Sequence, residues 1–146
     1  AIAPAVRYLG DGEQARVAKL ALQVLIGGTA ELLAEALVLG ESAGVDRKTL
    51  LEVIGASVVG SKFVEYKTEP LLRDDYSATF TTDMMRKDVD LVLELAGETG
   101  AELPFTSELR LLLEETSESG HGDDDFISLV LQLNERVGAP RPRRNR

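Results

Sequence analysis

Helix-compatible patterning runs longest from Asp11 to Gly44, about thirty residues, which predicts one helix of about 45 Å. The stretch begins polar, at Asp11, Glu13 and Gln14, and then places Ala15, Val17, Ala18, Leu20, Ala21, Leu22, Val24, Leu25 and Ile26 on almost every side. Such crowding predicts a helix buried on most faces rather than along one stripe. Lys19 and Gln23 interrupt the wall; four residues apart, they share a face, and Gly27 continues the row as an opening. An ammonium and a carboxamide on one line of an apolar helix are either paired core polars or the floor of a site.

Five shorter helices follow in the pattern. Gly44 supplies a C-cap, Asp46 starts a helix from Arg47 to about Ser57 with Leu50, Leu51, Val53 and Ile54 inward, and Gly60 and Ser61 break it. Ser61 caps a third helix to about Asp74, with Phe63, Val64, Tyr66, Leu71 and Leu72 as its apolar set and Pro70 expected to force a kink or restart. Thr81 or Thr82 caps a fourth, which ends at Gly100 before Pro104. Phe105 to Ser119 forms a fifth with Leu109, Leu112 and Leu113 inward, and Phe126 to Val137 a sixth, capped by Asp124 or Asp125. No stretch alternates as a strand, so the expected class is all-α: a long central helix surrounded by about five shorter ones.

The amount of chain allows one helical domain over residues 1–138, and 44% hydrophobic with 28% charged residues is a globular composition. The absence of cysteine removes disulfides, thiolate nucleophiles and Cys-type zinc sites, which makes an intracellular, cytoplasmic protein the expectation. The longest uncharged part of the central helix, Leu20 to Ala30, falls short of a membrane span, and no signal peptide is visible. Net charge is −9, and the body up to Pro140 carries −13 once Arg141, Arg143, Arg144 and Arg146 are set aside. Such a body repels nucleic acid. The segment 139–146, with two prolines and no apolar anchor, reads as a disordered basic tail, and a role in binding nucleic acid or acidic partners is the lesser reading beside a plain solvated terminus.

Candidate chemistry is sparse. Gly10-Asp-Gly12-Glu-Gln-Ala15 formally matches G-x-G-x-x-A after a lead-in, Val6 to Leu9, that could end a strand. The helical pattern continues unbroken to Leu39, where a βαβ unit would reach a second strand, so the glycines are read as the turn into the long helix. His121 beside Asp123, Asp124 and Asp125 lacks the alternating acidic spacing of a calcium loop, and no metal site is expected. On the fourth helix Met84, Leu91, Val92, Leu95 and Ala96 define an apolar face on which Asp88 falls, with Lys87 at its border. A carboxylate there needs a partner: Lys87, another core cation, or a backbone donor.

Taken together, Leu9-Gly-Asp-Gly12 opening a long helix, Lys19 with a carboxamide four residues on, Phe80, and Lys87-Asp88-Val-Asp-Leu-Val-Leu-Glu-Leu-Ala96 resemble the C-terminal helical domain of the β-hydroxyacid dehydrogenases. That group includes 3-hydroxyisobutyrate dehydrogenase, tartronate semialdehyde reductase and glyoxylate reductase, with a fold like the 6-phosphogluconate dehydrogenase C-terminal domain. The Gly120-His-Gly-Asp-Asp-Asp-Phe126 segment resembles the loop before that domain's last helix. The resemblance implies an NAD- or NADP-dependent enzyme acting on a small hydroxy acid or its carbonyl partner. It implies Lys19 as the catalytic residue, Gln23, Phe80 and Asp88 at the substrate, and Lys87 with Phe80 beside the nicotinamide.

Gln23 stands where that group usually has asparagine, so its carboxamide reaches one methylene further and bears on substrate identity. The group's dinucleotide-binding domain is not in this sequence, and the chain is expected to be the C-terminal part of a longer enzyme, inactive and without useful dinucleotide affinity alone. A homodimer is expected, and a non-catalytic helical dimerisation or interaction module is the alternative. In reduction, the alkoxide formed from the substrate carbonyl needs a proton and a positive charge, which Lys19 can supply. Its apolar neighbours are expected to desolvate the ammonium and make it a usable acid, with Asp88, if close, opposing that.

Overall fold

Helix boundaries follow from local caps. In the computed structural model, which describes residues 7–138, the elements are α1 (Gln14–Ser42), α2 (Arg47–Ala56), α3 (Lys62–Arg73), α4 (Thr82–Thr99), α5 (Pro104–Thr116) and α6 (Leu129–Arg136). The expected basic tail, 139–146, and the start of the lead-in, 1–6, lie outside the described residues. Asp46, Ser61 and Thr81 each accept from the backbone N–H three residues on, at 3.0, 3.2 and 3.1 Å, which satisfies an otherwise orphaned donor at the starts of α2, α3 and α4. Gly100 ends α4 in the left-handed conformation, with φ 73°. Between α5 and α6 the chain makes a π turn, Ser117–His121, and a 3₁₀ turn, Phe126–Ser128. Asp125 starts the latter by accepting from Ile127 N–H at 3.1 Å.

The 29 residues of α1 run about 44 Å, and the other helices gather on one side of it. Leu33, Ala34 and Leu37 of α1 join Leu51, Leu71, Met85, Val89, Leu109, Leu113, Ile127 and Leu129 in a single core. Two glycines let neighbours in: a Cβ on Gly27 would stand 2.9 Å from Leu109 Cδ2 of α5, and one on Gly40 2.4 Å from Leu50 Cδ2 of α2. Among the described residues there is no strand, only an isolated bridge between Thr81 and Asp125. By length and mean hydropathy α1 is, among the described residues, the one helix that could cross a membrane, yet half of its most apolar window is buried under the other helices, as in the core helix of a packed domain.

A buried ion pair ties α3 to the cap of the 3₁₀ turn that precedes α6. Lys67, 2% exposed, places Nζ 2.7 Å from Asp125 Oδ1, and the same carboxylate accepts from the Thr79 N–H at 3.1 Å and the Thr79 hydroxyl at 2.8 Å. The ammonium also lies 4.8 Å from the Phe126 ring centroid, a cation–π contact. Every charge removed from water here has a partner, as burial requires.

Several expectations change. The wall of apolar residues on α1 is not buried on most faces: of the nine from Ala15 to Ile26 only Leu20 is buried, because the shorter helices cover one side and leave the first turns projecting. On α4 Asp88, Val92 and Ala96 are buried as expected, but at the start of the helix Met85 and Val89 turn inward while Met84 is half exposed. Val53 of α2 and Tyr66 of α3 point outward. Pro70 does not break α3; it lies in the last turn, and the carbonyl it deprives of a donor belongs to exposed Tyr66, where water can serve.

Candidate functional site

The polar row on α1 meets α4. Gly27 faces Met85, whose sulfur would lie 3.4 Å from a Cβ at that glycine. One turn toward the N-terminus of α1, Gln23 faces Asp88, one turn further along α4, so the two helices cross in opposite senses here and the row Gly27, Gln23, Lys19 runs out along the α4 surface. Gln23 Nε2 donates to Asp88 Oδ2, and Lys19 Nζ stands 3.3 Å from that same oxygen. Gln23 and Asp88 are buried, whereas the Lys19 side chain is 63% exposed.

Of the partners open to Asp88, the structure selects Lys19. Lys87, the adjacent residue, is turned about 100° around α4 and faces solvent. The desolvation of Lys19 expected from its apolar sequence neighbours is not supplied by this chain: Leu22 and Leu25 are themselves exposed, and only Leu20 turns inward. Phe80 is half-buried two turns before Asp88, with its ring edge-on to Phe126 at 6.2 Å and its carbonyl accepting from Phe126 N–H at 3.1 Å. The structure therefore brings Lys19, Gln23 and Asp88 together, and seats Phe80 and Lys87 outside that contact.

Patterning missed the group that holds Phe80 in place. Lys67 reads as a surface residue of an amphipathic helix, yet with Asp125 and Thr79 it anchors the segment leading into Phe80. The signal available was Asp125 beside Phe126, a carboxylate at a cap next to a large apolar residue, but its cation lies 58 positions away. The other aspartates of that loop go elsewhere: Asp124 Oδ2 lies 2.7 Å from His121 Nδ1, and Asp123 is exposed.

The glycine turn before α1 offers no phosphate cradle. Gln14 folds back over it, its Oε1 accepting from Gly12 N–H at 3.0 Å and standing 3.0 Å from where a Cβ on Gly10 would be. Two surface hollows, of about 590 and 430 Å³, are lined by α2, α3 and the later half of α1, and neither includes Lys19, Gln23 or Asp88. The row is thus an open surface bearing an ammonium, a carboxamide and a carboxylate.

Comparison with known proteins places this surface in context. The 2-(hydroxymethyl)glutarate dehydrogenase of Eubacterium barkeri is 30% identical over 134 residues, 91% of this chain and 44% of that protein. The cytokine-like nuclear factor N-PAC of Anopheles gambiae is 30% identical over 125 residues, 86% of this chain and 22% of that protein. Among solved structures, the 3-hydroxyisobutyrate dehydrogenase of Mycobacterium tuberculosis superposes with a TM-score of 0.77 at 24% identity, over 87% of this chain and 46% of that one, which confirms the helical fold. The chain spans less than half the length of these relatives. The family described as NAD-binding of NADP-dependent 3-hydroxyisobutyrate dehydrogenase matches residues 13–133, from the turn before α1 into α6 and through Lys19, Gln23 and Asp88, and the chain belongs to that family.

Proposed function

We propose that this chain is the helical substrate-side domain of an NAD(P)-dependent oxidoreductase acting on a small β-hydroxy acid or its semialdehyde or keto partner, with Lys19 as general acid and base. The observation that carries this is the contact of Lys19 and Gln23 with Asp88 on the uncovered end of α1, in a chain of this family. Both 2-(hydroxymethyl)glutarate and 3-hydroxyisobutyrate, the compounds in the names of a relative and of the family, carry a primary alcohol on the carbon next to the one bearing a carboxylate.

The nicotinamide cofactor, when bound, accepts or supplies the hydride. In oxidation the alcohol's O–H proton passes to the Lys19 amine as its C–H hydride leaves; in reduction the ammonium gives that proton to the forming alkoxide and its charge stabilises the oxygen. Asp88 holds the ammonium from the α4 side. Phe80 is assigned to the substrate and nicotinamide side, and exposed Lys87 to the cofactor, as positions that a further domain would close over. With Gln14 filling the glycine turn, the cofactor phosphates belong to a part of the protein outside this chain.

Lys19→Ala in the complete protein should lower turnover of 3-hydroxyisobutyrate or a related β-hydroxy acid at least about a hundredfold, with little change in melting temperature, since the side chain is exposed. Near-normal turnover in that variant would overturn the assignment.

A second reading, assembly through this domain, has its own support. Leu22, Leu25, Leu32 and Leu39 are 57%, 66%, 57% and 74% exposed. With half-buried Thr29 and Ala36 between them they follow the alternating three- and four-residue spacing of a helix seam. Such a stripe suits a second copy of the chain, with or without catalysis. Light scattering should report a dimer that Leu25→Asp with Leu32→Asp converts to monomer; a monomeric unmodified chain at tens of micromolar would refute assembly through α1.

A further inference from the structure

Gln23 carries one donor end and one acceptor end, and the structure shows where the donor goes. An ionised carboxylate only accepts, so the contact with Asp88 Oδ2 is made by the Nε2 N–H. The same oxygen carries Lys19 Nζ at 3.3 Å. Gln23 and Asp88 are each buried, so their bond is largely shielded from water and charge-assisted. The ammonium is on the wet side, at the end of a flexible stem, where an ion pair by itself orders little.

We propose that Gln23 is a positioning residue for Lys19: its amide N–H clamps Asp88 at one oxygen, and the clamped carboxylate fixes the ammonium at the edge of the site. With one Nε2 hydrogen engaged, Gln23 keeps Oε1 and a second N–H for a ligand, an acceptor and a donor that suit a hydroxyl. Asparagine on the same Cα would stop a methylene short of α4, so the longer side chain is what closes the link. This inference rests on the reading of Lys19 as acid and base, and its test separates the two.

The complete protein is measured in two ways. Steady-state kinetics use 3-hydroxyisobutyrate with NAD and with NADP. The rate of Lys19 acylation at one fixed pH, read by peptide mass spectrometry without substrate, follows how freely the side chain moves away from Asp88. Gln23→Met should lower kcat about tenfold while KM stays within about threefold. It should raise the rate of Lys19 acylation about threefold, in the same direction as Asp88→Asn, because the ammonium is no longer held against a fixed carboxylate. Combining the two substitutions should raise the rate no further than Asp88→Asn alone, since they break one chain of contacts.

Gln23→Asn keeps a polar amide at the site and should match Gln23→Met in the acylation assay, which covers the case of a poorly folded methionine variant. A KM raised about tenfold or more with kcat and the acylation rate unchanged would overturn the proposal in favour of direct substrate binding by the amide. Additive increases in that rate, or none, would overturn it as well. If the unmodified protein turns over no hydroxy acid, the enzymatic reading fails, and the acylation arm still decides whether Gln23 acts through Asp88.

Discussion

Glu31→Gln should make the chain markedly more stable above neutral pH and leave it almost unchanged in mild acid. Glu31 is 1% exposed on the core side of α1, and neither carboxyl oxygen has a hydrogen-bond partner. Burial pushes its carboxyl from the ordinary 4.5 up to about 7; Glu35 adds to the rise and Arg136 of α6 opposes it. The folded chain therefore keeps this proton to about pH 7, while the unfolded chain releases it near pH 4.5. Stability linked to that proton is fully present below the unfolded value and is lost as pH rises through the folded one. The separation corresponds to about 3 kcal/mol, or roughly 10 °C in melting temperature for a domain of this size. Glutamine has the same shape and cannot ionise, so its own cost of burial is common to both ends of the pH range and drops out of the difference. Melting followed by far-ultraviolet circular dichroism at about pH 5 and about pH 8.5 reads the effect. Parallel curves for the two proteins, with no divergence at high pH, would refute the reasoning, because they would mean that Glu31 finds a partner or water in the folded chain.

Lys67→Met leaves Asp125 buried without its cation and should cost about 3–5 kcal/mol, read as a fall in the urea midpoint, and an unmoved midpoint would show that the Thr79 and Ile127 donors suffice. On the acid side, burial alone would raise the Asp125 carboxyl, but Lys67, Ile127 N–H and Thr79 outweigh it and hold it below its ordinary range. That stability is present above the unfolded value of about 3.8 and lost as pH falls through the lower folded one, so Asp125→Asn should flatten the loss of melting temperature below about pH 4.

How much of this was legible in the residues varies by element. The starts of α2, α3, α4 and the turn into α6 were legible because their caps are local: Asp46, Ser61, Thr81 and Asp125 act on an N–H two or three residues away, and Gly100 needs only its own backbone freedom. Lys19 and Gln23 on one face of α1 were legible for the same reason, since a spacing of four is a property of the helix. The first turn of the inward face of α4 was not, although Asp88, Val92 and Ala96 lie where the pattern puts them. Met84 and Met85 are equivalent by composition, and which turns inward depends on where Gly27 and Leu109 leave room.

By itself the sequence determined the all-α class, the order and ends of the helices, and the presence of an ammonium, a carboxamide and a carboxylate at positions an apolar helix does not ordinarily give to them. Only the tertiary structure decided their partners: that Asp88 meets Lys19 and Gln23 across 65 or more positions of chain rather than its neighbour Lys87, that Lys67 is buried on Asp125, and that Glu31 is sealed in with none. The physical reason is that caps and periodicity are set by contacts within one turn. Burial and pairing of charges depend on how whole helices cross, and the crossing is fixed by side-chain volume summed over the core.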